Sequence, residues 1–123
     1  MTEQNKIKAL ITDMAEKMYS EKYLRRYRPL LPLLTVLQKP TDVPRFVNLA
    51  KACLTCEAYG ELEKVTCPVL VIGGGQDKIV GAAAARELGE KLGCPVHVYE
   101  ALGHAAYEEA KDFNQRVYDF LRG

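Results

Sequence analysis

Apolar residues recur at helical spacing through the first half of the chain. Within residues 3 to 19 the spacing is i, i+3, i+4, i+7 and i+11, which is the period of one helix face. The stripe is formed by Ile7, Leu10, Ile11, Met14 and Met18. The intervening positions carry charged and polar side chains, so an amphipathic helix is predicted with its other face in solvent.

Two prolines interrupt the helical pattern that follows Ser20. Apolar and basic residues continue from there to Leu37, but Pro29 and Pro32 lie within the run. A proline inside a helix removes one hydrogen bond and clashes with the preceding turn. We therefore expect two short helical pieces in this segment.

A turn at residues 39 to 44 precedes a further helix, predicted over residues 44 to 58. Thr41 or Asp42 is expected to cap its start, and Gly60 is expected to follow its end. Its apolar positions again have helical spacing, and they are Phe46, Val47, Ala50, Cys53, Leu54 and Ala58. The first half of the chain, residues 1 to 66, is therefore predicted to be helical throughout.

The hydrophobic period changes after Pro68. Residues 69 to 72 form a continuous run of Val, Leu and Ile, which is typical of a strand covered on both faces. Residues 81 to 92 are rich in alanine and predict a helix that ends at Gly93. Residues 95 to 100 then predict a second strand.

The last predicted element is an amphipathic helix over residues 112 to 121. Its inward positions are expected to be Phe113, Val117, Phe120 and Leu121. Residues 67 to 123 therefore form a β-α-β-α unit, and its crossover helix predicts two parallel strands. A parallel pair normally belongs to a larger sheet, so one strand should present a bare edge to a partner.

Composition and charge narrow the class of protein. The 123 residues are 48% hydrophobic and 27% charged, as in a soluble globular domain, and the net charge is +1. Such a balance predicts neither nucleic-acid nor membrane binding. A cluster of basic residues is interpreted as a solvated helix face, and it comprises Lys22, Arg25, Arg26 and Arg28. The N-terminal residues lack the apolar core of a signal peptide, so a cytoplasmic location is expected.

No motif in the sequence predicts a cofactor or a metal. Cys53 and Cys56 form a C-x-x-C, but it lies in a helical apolar stretch without a second pair. All four cysteines lie in apolar patterns and are expected to be reduced core thiols. The glycines at residues 73 to 75 fit neither dinucleotide nor phosphate-loop spacing and predict a tight turn.

Asp77 and His104 are the two candidates for catalysis. Each alone has an ordinary explanation, since Asp is common in turns and a His after Gly is common in loops. Both nevertheless follow the carboxyl ends of predicted parallel strands, which lie about 4.8 Å apart when adjacent. A carboxylate beside an imidazole can fix the ring tautomer and stabilise the imidazolium, as in a hydrolytic triad.

The segment around these residues resembles the α/β-hydrolase fold family. Residues 68 to 80, Pro-Val-Leu-Val-Ile-Gly-Gly-Gly-Gln-Asp-Lys-Ile-Val, look like its acid strand. Residues 101 to 104, Ala-Leu-Gly-His, followed by Glu108 or Glu109 and a final Phe-x₃-Val-x₂-Phe-Leu helix, look like its histidine loop. The helical first half is similar to the family's lid. The resemblance implies that Asp77 is the triad acid and His104 the general base.

The sequence departs from that family in lacking a nucleophile. Its single serine, Ser20, lies in a helical context without the flanking glycines of a G-x-S-x-G elbow, and no H-G-G-G segment is present. Gly81 also stands where the family often has proline. The resemblance therefore covers the C-terminal half of such an enzyme, which would act on an ester or similar apolar acyl substrate. The isolated chain is expected to be inactive.

A second interpretation needs no catalysis. The chain would then be a truncated α/β module that associates with itself through its open sheet edge. Under either interpretation a partner along the exposed strand is expected, most simply a second copy in a homodimer.

Overall fold

A computed structural model describes residues 3–33, 42–57 and 59–123 of the chain. The fold is mixed α/β, with a helical first half followed by two parallel strands and further helices, as the sequence predicts. The helices and strands are α1 (Glu3–Met18), α2 (Glu21–Tyr27), α3 (Val43–Thr55), β1 (Val71–Gly74), α4 (Ala84–Leu92), β2 (Val96–Tyr99), α5 (Ala106–Glu109) and α6 (Phe113–Arg122). Short 3₁₀ helices span Arg28–Leu30 and Tyr59–Lys64.

Helices α1 and α2 form in the segments where the sequence predicts helices, although Leu10 of the α1 stripe is exposed. Ser20 is the N-cap of α2, and its side-chain oxygen accepts a hydrogen bond from the main-chain N–H of Tyr23 at 3.3 Å. The helix ends where Pro29 enters a 3₁₀ turn, so the predicted interruption is confirmed. Residues 34 to 41, including Thr41 and Leu37, lie outside the described residues.

Helix α3 begins as predicted but ends earlier. Asp42 caps it, because its Oδ1 accepts a hydrogen bond from the N–H of Arg45 at 3.0 Å. The prediction that the helix continues to residue 58 is wrong, since Cys56 adopts an extended conformation with ψ 115° and breaks the helical hydrogen-bond series. Ala58 lies outside the described residues.

Strands β1 and β2 pair in parallel, with Val71 beside Val96 and Gly74 beside Tyr99. The strand starts two residues later than the apolar run that begins at Val69. Its first inter-strand bond runs from the N–H of Val71 to the carbonyl of Pro95 at 3.1 Å. Upstream of Pro95 the chain is still turning out of α4 through Gly93, whose φ is 61°, and so offers Val69 no strand to pair with.

Helices α4 and α6 lie on opposite faces of the strand pair. On one face, Gly89 of α4 approaches Val96 so closely that a Cβ on Gly89 would overlap the Val96 side chain. On the other, the hydroxyl of Tyr99 donates to Asp112 Oδ1 at 3.0 Å, and Arg116 of α6 donates to the same hydroxyl at 3.3 Å. Alternation of side chains along a strand places Val96 and Tyr99 on different faces.

Burial in the described residues is limited. The buried apolar residues there are small or medium in size, namely Ala15, Val71, Ala105 and Ala106. No large side chain in the described segments is fully buried. None of the helices in those segments is both long enough and apolar enough to cross a lipid bilayer.

Two expectations about buried residues are wrong. Leu121 is 75% exposed, because it lies at the edge of the α6 stripe in the last helical turn. Cys53, Cys56 and Cys67 are exposed and Cys94 is partly buried, so the cysteines are not core thiols. The α3 residues Leu49 and Leu54 are exposed as well, which shows that this helix buries little of its apolar surface against the described parts of the chain.

Candidate active site

Asp77 is held in a turn that follows β1. The N–H groups of Gly75 and Gln76 bond the carbonyls of Tyr99 and Leu102, both at 2.9 Å, and so tie the turn to the segment after β2. Oδ1 of Asp77 accepts hydrogen bonds from the N–H groups of the second and third residues after it, at 2.7 and 3.0 Å. One carboxylate oxygen is thus fixed by the main chain, and the other is left for a side-chain partner.

His104 lies in the loop after β2, at the same edge of the sheet. The loop is close to β1, because Gly74 and Gly103 approach each other without room for a side chain. Nδ1 of His104 lies 2.8 Å from Oδ2 of Asp77. The sequence prediction that these two side chains meet, 27 positions apart in the chain, is confirmed.

The surroundings of the pair define its protonation. Burial raises the pKa of Asp77, but hydrogen bonds from His104, Ile79 and Val80 outweigh it and lower the pKa below its usual range. An ionised carboxylate only accepts hydrogen bonds, so Nδ1 of His104 carries the proton that lies between the two side chains. In the neutral ring, Nε2 is then the free base.

The imidazole of His104 is more exposed to solvent than the carboxylate of Asp77, as a general base that must reach a ligand requires. The Asp77 side chain is 8% exposed and the His104 side chain is 36% exposed. The carboxylate is therefore shielded from water by the fold, whereas the imidazole is within reach of a ligand. This arrangement can orient an imidazole and stabilise its protonated form.

An open cavity of about 400 Å³ adjoins the pair. Asp77 and His104 line it together with all four residues of β1. The rest of its lining is largely apolar and comes from Tyr59, Val80, Gly81, Ala84, Ala85, Leu88, Ala106, Tyr107 and Phe113.

Two residues next to this site, Ser20 and Glu109, make a contact that the sequence does not predict. Glu109, noted in the sequence only through the family resemblance, accepts hydrogen bonds from the N–H of Gly103 at 3.2 Å and from the N–H of Ser20 at 2.9 Å. The Ser20 hydroxyl bonds the same carboxylate. The two residues are 89 positions apart, so no local pattern predicts this contact. A lone serine beside a helix start was the single usable signal.

The other predicted or excluded groups lie elsewhere. His97 is on a sheet face, with its ring 4.5 Å from that of Tyr99 in an edge-to-face contact. Among the described residues, no group of three or more His, Cys, Asp and Glu side chains is arranged to hold a metal ion. The basic residues of α2 are exposed, as expected for a solvated face.

No protein-family model matches the chain, and no curated protein matches it either. A functional proposal therefore depends on the geometry of Asp77 and His104 and on the cavity beside them.

Proposed function

We propose that the chain is the C-terminal part of an α/β-hydrolase, in which His104 is the general base and Asp77 the residue that orients it. The observation that carries this proposal is the 2.8 Å contact between His104 Nδ1 and Asp77 Oδ2 beside an apolar cavity. The two groups lie where parallel strands end, which is where open α/β sheets carry functional side chains.

The chemistry would follow the order of a hydrolytic triad. His104 Nε2 accepts the proton of a nucleophilic hydroxyl as that oxygen attacks the substrate carbonyl carbon. The imidazolium, stabilised by Asp77, then returns the proton to the leaving alkoxide as the acyl–oxygen bond breaks. Water, deprotonated by the same histidine, hydrolyses the acyl-enzyme and regenerates the free hydroxyl.

The nucleophile would come from an N-terminal half that this sequence does not contain. Ser20, the single serine, caps α2 and bonds Glu109. Its hydroxyl is thereby committed to holding two parts of the chain together. The chain alone is therefore expected to be inactive, although a residual acceleration from the remaining groups is allowed.

The cavity favours an apolar or acyl substrate. Leu88, Phe113 and Val80 contribute side chains to its lining, and the ionisable groups that line it are Tyr59, Tyr107 and the proposed catalytic pair. Pockets of this size and polarity accept small organic ligands, with a few polar groups setting the orientation.

The decisive experiment begins with the coding DNA upstream of Met1. An in-frame G-x-S-x-G elbow there would allow the joined protein to be expressed and assayed on p-nitrophenyl esters of short and medium acyl chains. H104A should lower kcat about 10⁶-fold and D77N about 10⁴-fold, because loss of a triad histidine costs more than loss of its aspartate. The matched control is H97A, which removes the other histidine of the chain and should leave kcat within a few-fold.

Two results would contradict the hydrolase proposal. One is a joined protein whose ester hydrolysis is unaffected by H104A. The other is evidence that translation starts at Met1, since the encoded protein would then have no N-terminal half to supply a nucleophile.

A second candidate function is a non-catalytic module that pairs with a copy of itself, and the outer edge of β1 favours it. The N–H groups of Val71 and Gly75 both bond the β2 side of the sheet. Because consecutive main-chain N–H groups point to opposite sides of a strand, those of Ile72 and Gly74 point away from β2. Within the described residues β2 is the only strand paired with β1, and all of β1 lines the apolar cavity, so its other edge lies within a groove.

The exposed surface also favours a partner. The accessible area is 9594 Å², whereas a folded monomer of 13.8 kDa exposes about 6,600 Å². Many of the exposed positions are large and apolar, among them Leu54, Val80 and Leu121. An extended segment that pairs with β1 would satisfy main-chain groups and cover part of this surface.

Light scattering at micromolar concentration tests the association directly, and a dimer is expected. Ile72→Pro removes an outward N–H while leaving the bonds to β2, so it should yield a monomer with unchanged circular dichroism. Ile72→Val keeps the N–H and most of the volume, and is the matched control that should remain dimeric. A wild-type monomer, or a dimer that I72P does not disturb, would overturn pairing through this edge.

A further inference from the structure

The main-chain N–H groups on both sides of His104 are tied to the junction between α1 and α2. After the histidine, the N–H of Ala105 donates directly to the carbonyl of Met18 at 2.9 Å. Before it, the N–H of Gly103 donates to Glu109 Oε1 at 3.2 Å, and Glu109 in turn bonds Ser20. The α1–α2 junction is therefore hydrogen-bonded to the histidine loop on both sides of His104, directly through Met18 and indirectly through Glu109.

Glu109 is the centre of this arrangement. Its Oε1 accepts from two main-chain N–H groups, those of Ser20 and Gly103, and its Oε2 meets the Ser20 hydroxyl. Ser20 is 4% exposed, so these bonds are shielded from competing water. Hydrogen bonds to an ionised acceptor are roughly twice as strong as neutral ones.

The histidine loop also packs closely against the main chain of the α1–α2 junction. A Cβ on Gly103 would lie 2.6 Å from the carbonyl oxygen of Met18 and 2.9 Å from the nitrogen of Ser20. The loop can therefore occupy this position only while the junction keeps its own conformation. A shift of the loop by about an ångström would lengthen the 2.8 Å contact between His104 and Asp77 beyond hydrogen-bond range.

We propose that Glu109 is a positioning residue, which sets the distance between His104 and Asp77 by fixing the histidine loop against the α1–α2 junction. A role for Glu109 in catalysis depends on the proposed hydrolase function, whereas its effect on the distance between His104 and Asp77 does not. The α1–α2 junction then supports the loop that carries the proposed general base.

Glu108 provides a matched control beside it. Its Oε2 accepts from the hydroxyl of the partly buried Tyr19 at 2.7 Å, a solvent-accessible bond that also spans 89 positions. That bond does not include the main chain of the histidine loop. Removing Glu108 therefore deletes a carboxylate and a long-range contact while leaving both N–H bonds beside His104 intact.

Glutamine at position 109 separates shape from charge. E109Q keeps Oε1 for the two N–H donors, and its amide nitrogen can donate to the Ser20 hydroxyl in place of Oε2. E109A removes every acceptor, and E109D is shorter by one methylene, too short to reach both sides. Positioning by Glu109 therefore predicts that Gln rescues what Ala and Asp lose.

Nuclear magnetic resonance of the full chain with ¹⁵N-labelled histidine tests this without turnover. In the wild type the His104 Nδ1–H proton should be observable far downfield and coupled to Nδ1, because it is held by Asp77. E109A should lose this resonance to exchange with water, and E109Q and E108A should keep it. The signals of His97 and the far-ultraviolet circular dichroism show in each variant that the sheet is intact.

Each outcome decides the proposal. An E109A protein with an unchanged His104 resonance would overturn it, as would an E108A protein that loses the resonance equally. Should E109A fail to fold, E109D replaces it: loss of the resonance in a folded E109D protein supports positioning, and retention overturns it. Absence of esterase activity in a joined protein would refute the hydrolase alone and leave this result untouched.

Discussion

Gly74 and Gly103 are in such close main-chain contact that a Cβ on Gly74 would overlap the carbonyl oxygen of Gly103. Gly74 is the last residue of β1, three positions before Asp77, and Gly103 immediately precedes His104. The contact therefore joins the two loops that carry the pair at the point nearest to their side chains. No residue other than glycine allows this separation.

Gly74→Ala should force the two loops apart and destabilise the fold. Because the colliding groups are both main chain, they cannot move aside as a flexible side chain would, and a cost of about 1–3 kcal/mol is expected. Urea unfolding followed by circular dichroism measures it. Gly60→Ala is the control, since nothing lies within 4 Å of a Cβ there, and it should change the free energy of unfolding by less than about 0.5 kcal/mol.

Asp77 should make the protein sensitive to acid. The pKa of its carboxyl is lowered in the folded state, so its stabilising contribution is complete above the unfolded pKa of about 4 and is lost as pH falls through the lower folded pKa. D77N should cost about 1–3 kcal/mol at pH 7, because the acceptor loses its charge and the amide nitrogen that replaces Oδ2 cannot accept from His104 Nδ1–H. It should also flatten the decline in stability below about pH 4.

The control for this acid sensitivity is D13N. Asp13 pairs with Lys17 on the exposed side of α1, and such pairs contribute little. D13N should follow the wild-type pH profile within error. Parallel profiles for D77N and the wild type would mean that Asp77 does not carry the acid dependence.

Tyr19 should make the protein sensitive to alkali. Burial, followed by the hydrogen bond to Glu108, raises the pKa of its hydroxyl well above its usual value. The favourable contribution is present below the unfolded pKa of about 10 and is lost as pH rises toward the folded pKa. Tyr19→Phe should therefore lose less stability between about pH 9 and 11 than the wild type does. Tyr118→Phe, at an exposed tyrosine, should not.

Three of the four thiols should react quickly in the native protein. Cys53, Cys56 and Cys67 are exposed, whereas Cys94 is partly buried. Titration with 5,5′-dithiobis(2-nitrobenzoic acid) should show three fast equivalents and one slower one, with four fast equivalents in urea. C94A should remove the slow phase alone. Fewer than three fast equivalents would indicate that a partner covers this surface.

The β-α-β unit and its pair of side chains could be predicted from the sequence because each depends on short-range rules. A strand-length apolar run, an alanine-rich segment and a second run imply parallel strands. Parallel strands bring their carboxyl ends to one edge, which is enough to bring Asp77 and His104 together. The cap of α3 at Asp42 follows from the same kind of local chemistry.

The remaining features depend on what each segment finds to pack against. Strand β1 starts at Val71 because β2 starts at Val96, its partner in the register. The apolar run that begins at Val69 does not indicate where β2 starts. Cys53 of α3 belongs to an apolar stripe with helical spacing, but it is exposed because no element of the described residues covers it. The bond between Ser20 and Glu109 joins distant segments through two ordinary polar residues, and periodicity cannot detect such a contact.

The anchoring of the histidine loop has a consequence for the order of folding. Asp77 and His104 meet across 27 positions, whereas Ser20 and Glu109 meet across 89. Closing the longer loop costs about 1 kcal/mol more in chain entropy. The strand pair should therefore form first, and the hydrogen bonds between the histidine loop and the α1–α2 junction should form last. In pulsed hydrogen exchange during refolding, the amide of Val71 should therefore gain protection before that of Ala105. The Ala105 amide is protected only once α1 has docked, because its acceptor is the carbonyl of Met18.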